Sequence, residues 1–165
     1  MFILKNKIFL FNFAVITLIF LIDRLSKTYL LNLNESGVEV DYYVLPFLNI
    51  YLVWNTGVGF GILSIEPSLF YHIITLLIVL INIFLIYLLF KSSRKNAFFL
   101  ALVLGGSIGN MYDRLYYFAV PDFIDFHIGN FHWFIFNIAD IFITIGIISL
   151  IVFELFNKDI YASKN

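Results

Sequence analysis

Residues 70–90 read FYHIITLLIVLINIFLIYLLF, with strong polarity only at His72, Thr75 and Asn82. A helix needs roughly 20 mostly apolar residues to cross a hydrocarbon core about 30 Å thick, at about 1.5 Å per residue. This stretch meets that length without a charge, so it predicts a membrane-spanning helix and places the chain in lipid. Three other runs support the same reading less cleanly. Residues 8–22 (IFLFNFAVITLIFLI) extend through Asp23 toward Leu30, residues 97–112 (AFFLALVLGGSIGNMY) are short and glycine-rich, and residues 134–156 carry Asn137, Asp140 and Glu154. The expected architecture is an all-α membrane protein of four transmembrane helices, folded as one domain over residues 1–165. The segment 38–60 (VEVDYYVLPFLNIYLVWNTGVGF) is rich in Val, Tyr, Phe and Ile with partial alternation. It predicts short strands and a small sheet outside the membrane.

Composition agrees. The 165 residues are 62% hydrophobic, 20% aromatic and only 13% charged, with a mean hydropathy of +0.96, far from the balance of a water-soluble domain. A net charge of -1 removes any basic excess that would attract nucleic acid or anionic lipid. With no cysteine there is no disulfide framework, thiolate nucleophile or cysteine metal site. Hydrolytic chemistry would have to come from carboxylates, hydroxyls or histidine.

Basic residues orient the spans. Lys5 and Lys7 precede the first, Lys91, Arg94 and Lys95 separate the second from the third, and Lys158 and Lys164 follow the fourth, seven of ten in all. The positive-inside rule then puts both termini and the 91–96 loop in the cytoplasm and segments 31–69 and 113–133 outside. Arg24, Lys27 and Arg114 fall at outer helix ends, where Asp23 and Asp113 offer partners. The basic start and apolar run read as a retained span, because DRLSK follows it where a cleavage site would need small residues.

With alternating spans, the polar residues of all four ends meet at the outer surface: Asp23, Arg24 and Lys27; Asn55 and Gly57; Asn110, Asp113 and Arg114; Asp122 and Asp125; Asn137 and Asp140. Helical spacing puts Asn110 on one face with Asp113 and Arg114, and Asn137 on one face with Asp140. An aspartate at the centre of a membrane helix costs roughly 2.5–3.5 kcal/mol, so Asp140 is expected to face the bundle interior and to mark function. Two neighbouring carboxylates share a proton, since repulsion and desolvation oppose ionising both. The ionised member can then activate a water while the protonated member donates to a developing oxyanion, which is aspartic protease chemistry. The same acids leave two other readings open, a small proton-coupled transporter and a non-catalytic subunit that packs on other membrane proteins.

Five motifs sharpen the choice: DRLSK at 23–27, NTGVGFGIL at 55–63, GGSIGNMYDR at 105–114, VPDFIDF at 120–126 and FNIAD at 136–140. Together, and in this order between four spans, they resemble bacterial lipoprotein signal peptidase, also called signal peptidase II. The resemblance implies an aspartyl endopeptidase of the bacterial cytoplasmic (inner) membrane that removes prolipoprotein signal peptides ahead of a diacylglyceryl-modified cysteine. It implies Asp122 and Asp140 as the catalytic pair, with Asn55, Asn110, Arg114 and Asn137 lining the active site, of which Asn110 and Arg114 would hold substrate backbone carbonyls; Gly57 and Asp113 are expected to bind substrate or to support these residues. It also implies an extracytoplasmic β-cradle, a mobile outer segment over the site, membrane lipid as surroundings and globomycin-type inhibitors. No metal and no cofactor are expected. Pro121 and Gly59 depart from the family pattern without removing an acid.

Several neighbours read as structural. Asp23 and Lys27 form an i,i+4 pair closing the first span, and Asp113 beside Arg114 orients the arginine and Asn110. Asp125 reads as a solvated loop acid. His127 and His132, five apart on a loop and without an HExxH pattern, do not read as metal ligands. Gly105 and Gly109 have the small-xxx-small spacing of close helix packing, and Trp54 and Trp133 read as interfacial anchors.

Overall fold

Backbone N–H and C=O groups have no water to bond in hydrocarbon, so apolar runs of this length coil into helices that satisfy themselves. A computed structural model, which describes residues 2–57 and 67–162, has four helices and four strands. In chain order they are α1 (Phe2–Glu35), β1 (Asp41–Leu45), β2 (Leu48–Asn55), α2 (Pro67–Lys91), α3 (Arg94–Tyr116), β3 (Val120–Ile128), β4 (Phe131–Phe136) and α4 (Ile138–Ala162). Among the described residues, three stretches are long and apolar enough to cross a membrane: Lys7–Glu35, Tyr71–Lys91 and Ile138–Phe156. Their outward faces carry exposed side chains such as Leu10, Leu25, Leu76, Leu80, Ile148 and Leu155, the surface that lipid covers.

The third helix differs for a packing reason. It runs through the middle of the bundle, touching α1, α2 and α4, and buries Ala97, Leu100, Ala101, Val103 and Leu104 together with Gly105, Gly106 and Gly109. A helix enclosed by protein needs small residues more than greasy ones, because backbones must come close. A Cβ on Gly106 would stand 2.4 Å from the carbonyl oxygen of Ala139 in α4. One on Gly105 would meet the Ile19 side chain of α1 at 2.9 Å. The small-xxx-small pair therefore serves two interfaces, since Gly109 abuts both Asp23 of α1 and Ala139 of α4.

The sheet is antiparallel in the order β1-β2-β3-β4. Only its first half was expected. The 113–133 segment is no simple loop, for β3 and β4 form a second hairpin, and α4 begins at Ile138 because Phe134 and Phe136 belong to β4. At 34 residues, α1 rises about 51 Å, well past the hydrocarbon core. Its last turns pack on the sheet, where Leu30, Val40 and Phe123 form a small core with Leu33, Ile50, Leu52 and Ile138 around it. Residues 58–66, including Gly59 and the rest of the VGFGIL run after Gly57, and Lys164 lie outside the described residues.

Candidate active site

Helix α4 starts with its own lock. Asn137 precedes the first helical residue; its side-chain Oδ1 accepts from the backbone N–H of Asp140 at 3.1 Å, and its own backbone N–H donates to Oδ2 of Asp140 at 3.1 Å. This reciprocal pair is a capping box, which satisfies helix-terminal N–H groups and fixes the N3 acid in place. The positive end of the helix also favours a carboxylate in the first turn. One group of Asn137 is left over, its Nδ2, and it donates to Oδ1 of Asp122 at 2.6 Å. A single residue thus holds Asp122, from β3, and Asp140, from α4.

Each acid has a further clamp. Asn55, the last residue of β2, donates from Nδ2 to Oδ2 of Asp122 at 2.9 Å, while its Oδ1 accepts from the Gly57 backbone N–H at 2.8 Å. Gly57 has φ of +84°, a conformation that glycine adopts without strain, so the turn that orients Asn55 depends on it. On the other side, Asn110 of α3 donates from Nδ2 to Oδ1 of Asp140 at 2.8 Å. Asp122 is 3% exposed. Burial is the main force on its carboxyl; hydrogen bonding from Asn55 works against it and the nearby Asp140 charge adds to it, leaving the group pushed up to about 6.

Beneath the acids lies an ion network. The Nζ of Lys27, fully buried, donates to Asp23 Oδ2 at 2.8 Å, to Asp113 Oδ2 at 2.7 Å and to Asn110 Oδ1 at 2.8 Å. All three ammonium donors are matched. Arg24 pairs with the other oxygen of Asp113 and lies over the Tyr112 ring at 4.9 Å. Asp23 also accepts from the backbone N–H of Ala139 at 3.0 Å, so the network ties α1 and α3 to the start of α4.

Six of the eight expected site residues, Asn55, Asn110, Asp122, Asn137, Asp140 and, through Asn55, Gly57, therefore meet in one hydrogen-bonded cluster. Arg114 borders it, donating from Nη1 to the Asn110 carbonyl at 3.3 Å, and its buried Nε has no partner. Asp113 is placed differently from expectation. Its partners are Lys27 and Arg24, and it reaches Asn110 through Lys27, with no bond to Arg114 among the described residues. The i,i+4 pair of Asp23 and Lys27 exists, yet it sits inside the polar layer and supports Asn110. Asp125 is buried on β3 at 4% exposure and bonded to His132, so it is not a solvated loop acid. His127 and His132 likewise lie on strands.

Beside Asp140 a cavity of about 260 Å³ is lined by Phe134, Phe136, Ile141, Thr144 and Ile145. Asp140 thus opens onto a largely apolar wall. Trp54, Tyr116 and Trp133 are exposed at the end of the bundle that carries the sheet, where amphipathic rings suit a membrane interface.

The chain resembles known proteins along most of its length. The family model for signal peptidase (SPase) II matches residues 15–156. A lipoprotein signal peptidase of Pelagibacter ubique (strain HTCC1062) is 51% identical over 153 residues, 93% of this chain and 91% of that protein. One from Aquifex aeolicus (strain VF5) is 44% identical over 143 residues, 85% of this chain and 83% of that protein. A solved structure described as a bacterial membrane enzyme, determined in meso at 1.9 Å, superposes with a TM-score of 0.72 at 31% identity, covering 87% of this chain and 92% of its own. Match and fold agree along nearly the whole length, and the chain belongs to the signal peptidase II family.

Proposed function

We propose that the protein is an aspartyl endopeptidase that cleaves diacylglyceryl-modified prolipoproteins on the amino-terminal side of the lipidated cysteine, with Asp122 and Asp140 as the catalytic pair. The observation that supports this most strongly is the grip of Asn137 on both carboxyl groups. It holds the two acids, Asp122 buried and Asp140 half-buried, at one point, where they titrate as a unit and keep one proton between them. The ionised member takes a proton from water, which attacks the peptide carbonyl. The protonated member donates to the oxyanion, and that proton passes on to the leaving amine. Arg114, with its unpartnered Nε, and the second amide hydrogen of Asn110 hold the substrate backbone carbonyls.

In this reading α3 is the fourth span, masked by its small core residues. Both termini face the cytoplasm, and the sheet and acid pair stand at the outer face of the bacterial inner membrane, in keeping with the basic residues of the termini and the 91–96 loop. The signal peptide, itself a membrane helix, comes in sideways between spans. Its apolar residues lie against the wall of Phe134, Phe136, Ile141 and Ile145 while its diacylglyceryl chains stay in lipid.

The test is incubation of the purified protein, in lipid, with a lipidated prolipoprotein and with the same precursor lacking the diacylglyceryl group. The expected result is a shortened product beginning at the lipidated cysteine, suppressed by globomycin, and slow or absent cleavage of the unmodified precursor. An intact lipidated precursor would remove the proposal.

A further inference from the structure

On the outer hairpin, Asp125 and His127 stand two apart on β3 and so project from one face, with His127 directly opposite His132 of β4. The register shifts between Asp125 and His127. The extra residue lies on β4, and such a bulge re-aims nearby side chains. The Nδ1 of His132 is 2.9 and 2.8 Å from the two Asp125 oxygens, the Nδ1 of His127 is 3.7 Å from Oδ2, and the imidazoles stack with centroids 5.0 Å apart. One ligand atom from each of the three residues falls within 4.8 Å of the others.

An independent observation concerns His127. Its side chain is 8% exposed and that of Asp125 is 5% exposed, and the buried Nδ1 of His127 has no hydrogen-bond partner. A buried nitrogen left without a partner is costly and rare in native proteins. Asn49, which pairs across from Asp125 on β2, adds a buried Oδ1 that is also unpartnered. Polar groups thus converge where the catalytic chemistry has no use for them. Asp122, three residues earlier, projects from the opposite face of β3.

We propose that Asp125, His127 and His132 bind a divalent transition-metal ion of the zinc type, separate from the acid pair. Two imidazoles and a carboxylate suit zinc, cobalt and their neighbours, and poorly suit magnesium or calcium, which prefer oxygen. Ligands at about 2.1 Å from a tetrahedral ion stand about 3.4 Å from one another. The separations of 2.8 and 3.7 Å bracket that value, and His132, with a side chain 54% exposed, is free to turn. A bound ion would give Nδ1 of His127 its partner and staple β3 to β4, on the strand that carries Asp122.

The experiment uses the untagged full-length protein in detergent, stripped by chelation, with zinc chloride followed by calorimetry and cobalt chloride followed by visible absorption. One equivalent per chain is expected, with the ligand-field bands of cobalt bound by nitrogen and oxygen and a raised melting temperature. His132→Ala, at a half-exposed position, should keep the fold and weaken binding at least about tenfold, as should His127→Ala. His72→Ala should change nothing. Failure to bind one equivalent, or undiminished affinity in the His127→Ala and His132→Ala proteins, would overturn the proposal whether or not the peptidase reading stands.

Discussion

The Nδ2 of Asn137 lies 2.6 Å from Oδ1 of Asp122, although these residues belong to the start of a helix and the middle of a strand. That bond joins a helix cap to an acid on the sheet, so one side chain carries two separable tasks. Asn137→Ala loses both. It should cost about 1 kcal/mol for the cap and lower turnover about a hundredfold, as for other donors aimed at a reacting group. Asn137→Ser keeps an oxygen for the cap and loses the donor to Asp122. Its melting temperature should recover while its turnover stays low, which thermal unfolding and a cleavage assay on the same preparations can resolve.

Lys27 is the keystone of the buried ions. Lys27→Met leaves Asp23 and Asp113 buried without their ammonium, at a cost of about 3–5 kcal/mol. A large fall in melting temperature is expected, partly reversed when Asp23→Asn is added to the same chain. Equal stability of Lys27→Met and the parent would mean that the network contributes nothing.

Helix spacing can be tested at Gly106. The Cβ of an alanine there would stand 2.4 Å from the Ala139 carbonyl oxygen, and backbone cannot swing aside as a flexible side chain can. Overpacking of this kind costs about 1–3 kcal/mol, and pushing α4 away shifts Asp140, which follows Ala139. Gly106→Ala should lose both stability and turnover. Gly37→Ala, which meets nothing within 4 Å but has φ of +85°, should lose only stability, by roughly 1 kcal/mol.

Burial of Asp122 makes stability depend on pH. Its carboxyl is raised from 3.8 to about 6, so the folded state holds that proton more tightly than the unfolded chain does. The contribution is fully present below the unfolded value and is lost as pH rises through about 6. Between about pH 4 and pH 8 the loss is about 2 kcal/mol. Melting temperature should therefore fall over that interval, and Asp122→Asn should flatten the slope. An unchanged slope in the variant would assign the effect to another group.

Much of the architecture was legible because apolar length is a strong signal. Residues 70–90 announce α2 without help, and 8–30 and 134–156 needed only their ends corrected. The β3 strand was hidden by its two acids, a proline and a histidine. Both of its faces are used, one by Asp122 and one by Asp125 and His127, so no simple alternation betrays it. Motif order brought Asn55, Asn110, Asn137 and both acids onto the page before any geometry. Lys27 was read only as far as Asp23, four residues away, since spacing along one helix says nothing of Asn110 and Asp113 on another. The same limit applies to His127 and His132. They become neighbours only when two strands pair, and sequence distance alone left them on a loop.

The central claim is that Asp122 and Asp140 work as one acid–base pair. The most direct test is single-turnover cleavage of a lipidated prolipoprotein by Asp122→Asn, Asp140→Asn and Asp125→Asn proteins, each first shown to be folded by thermal unfolding. Loss of cleavage in the first two with most of it kept in the third is the expected result. Turnover near the parent rate in a folded Asp140→Asn or Asp122→Asn protein would contradict it.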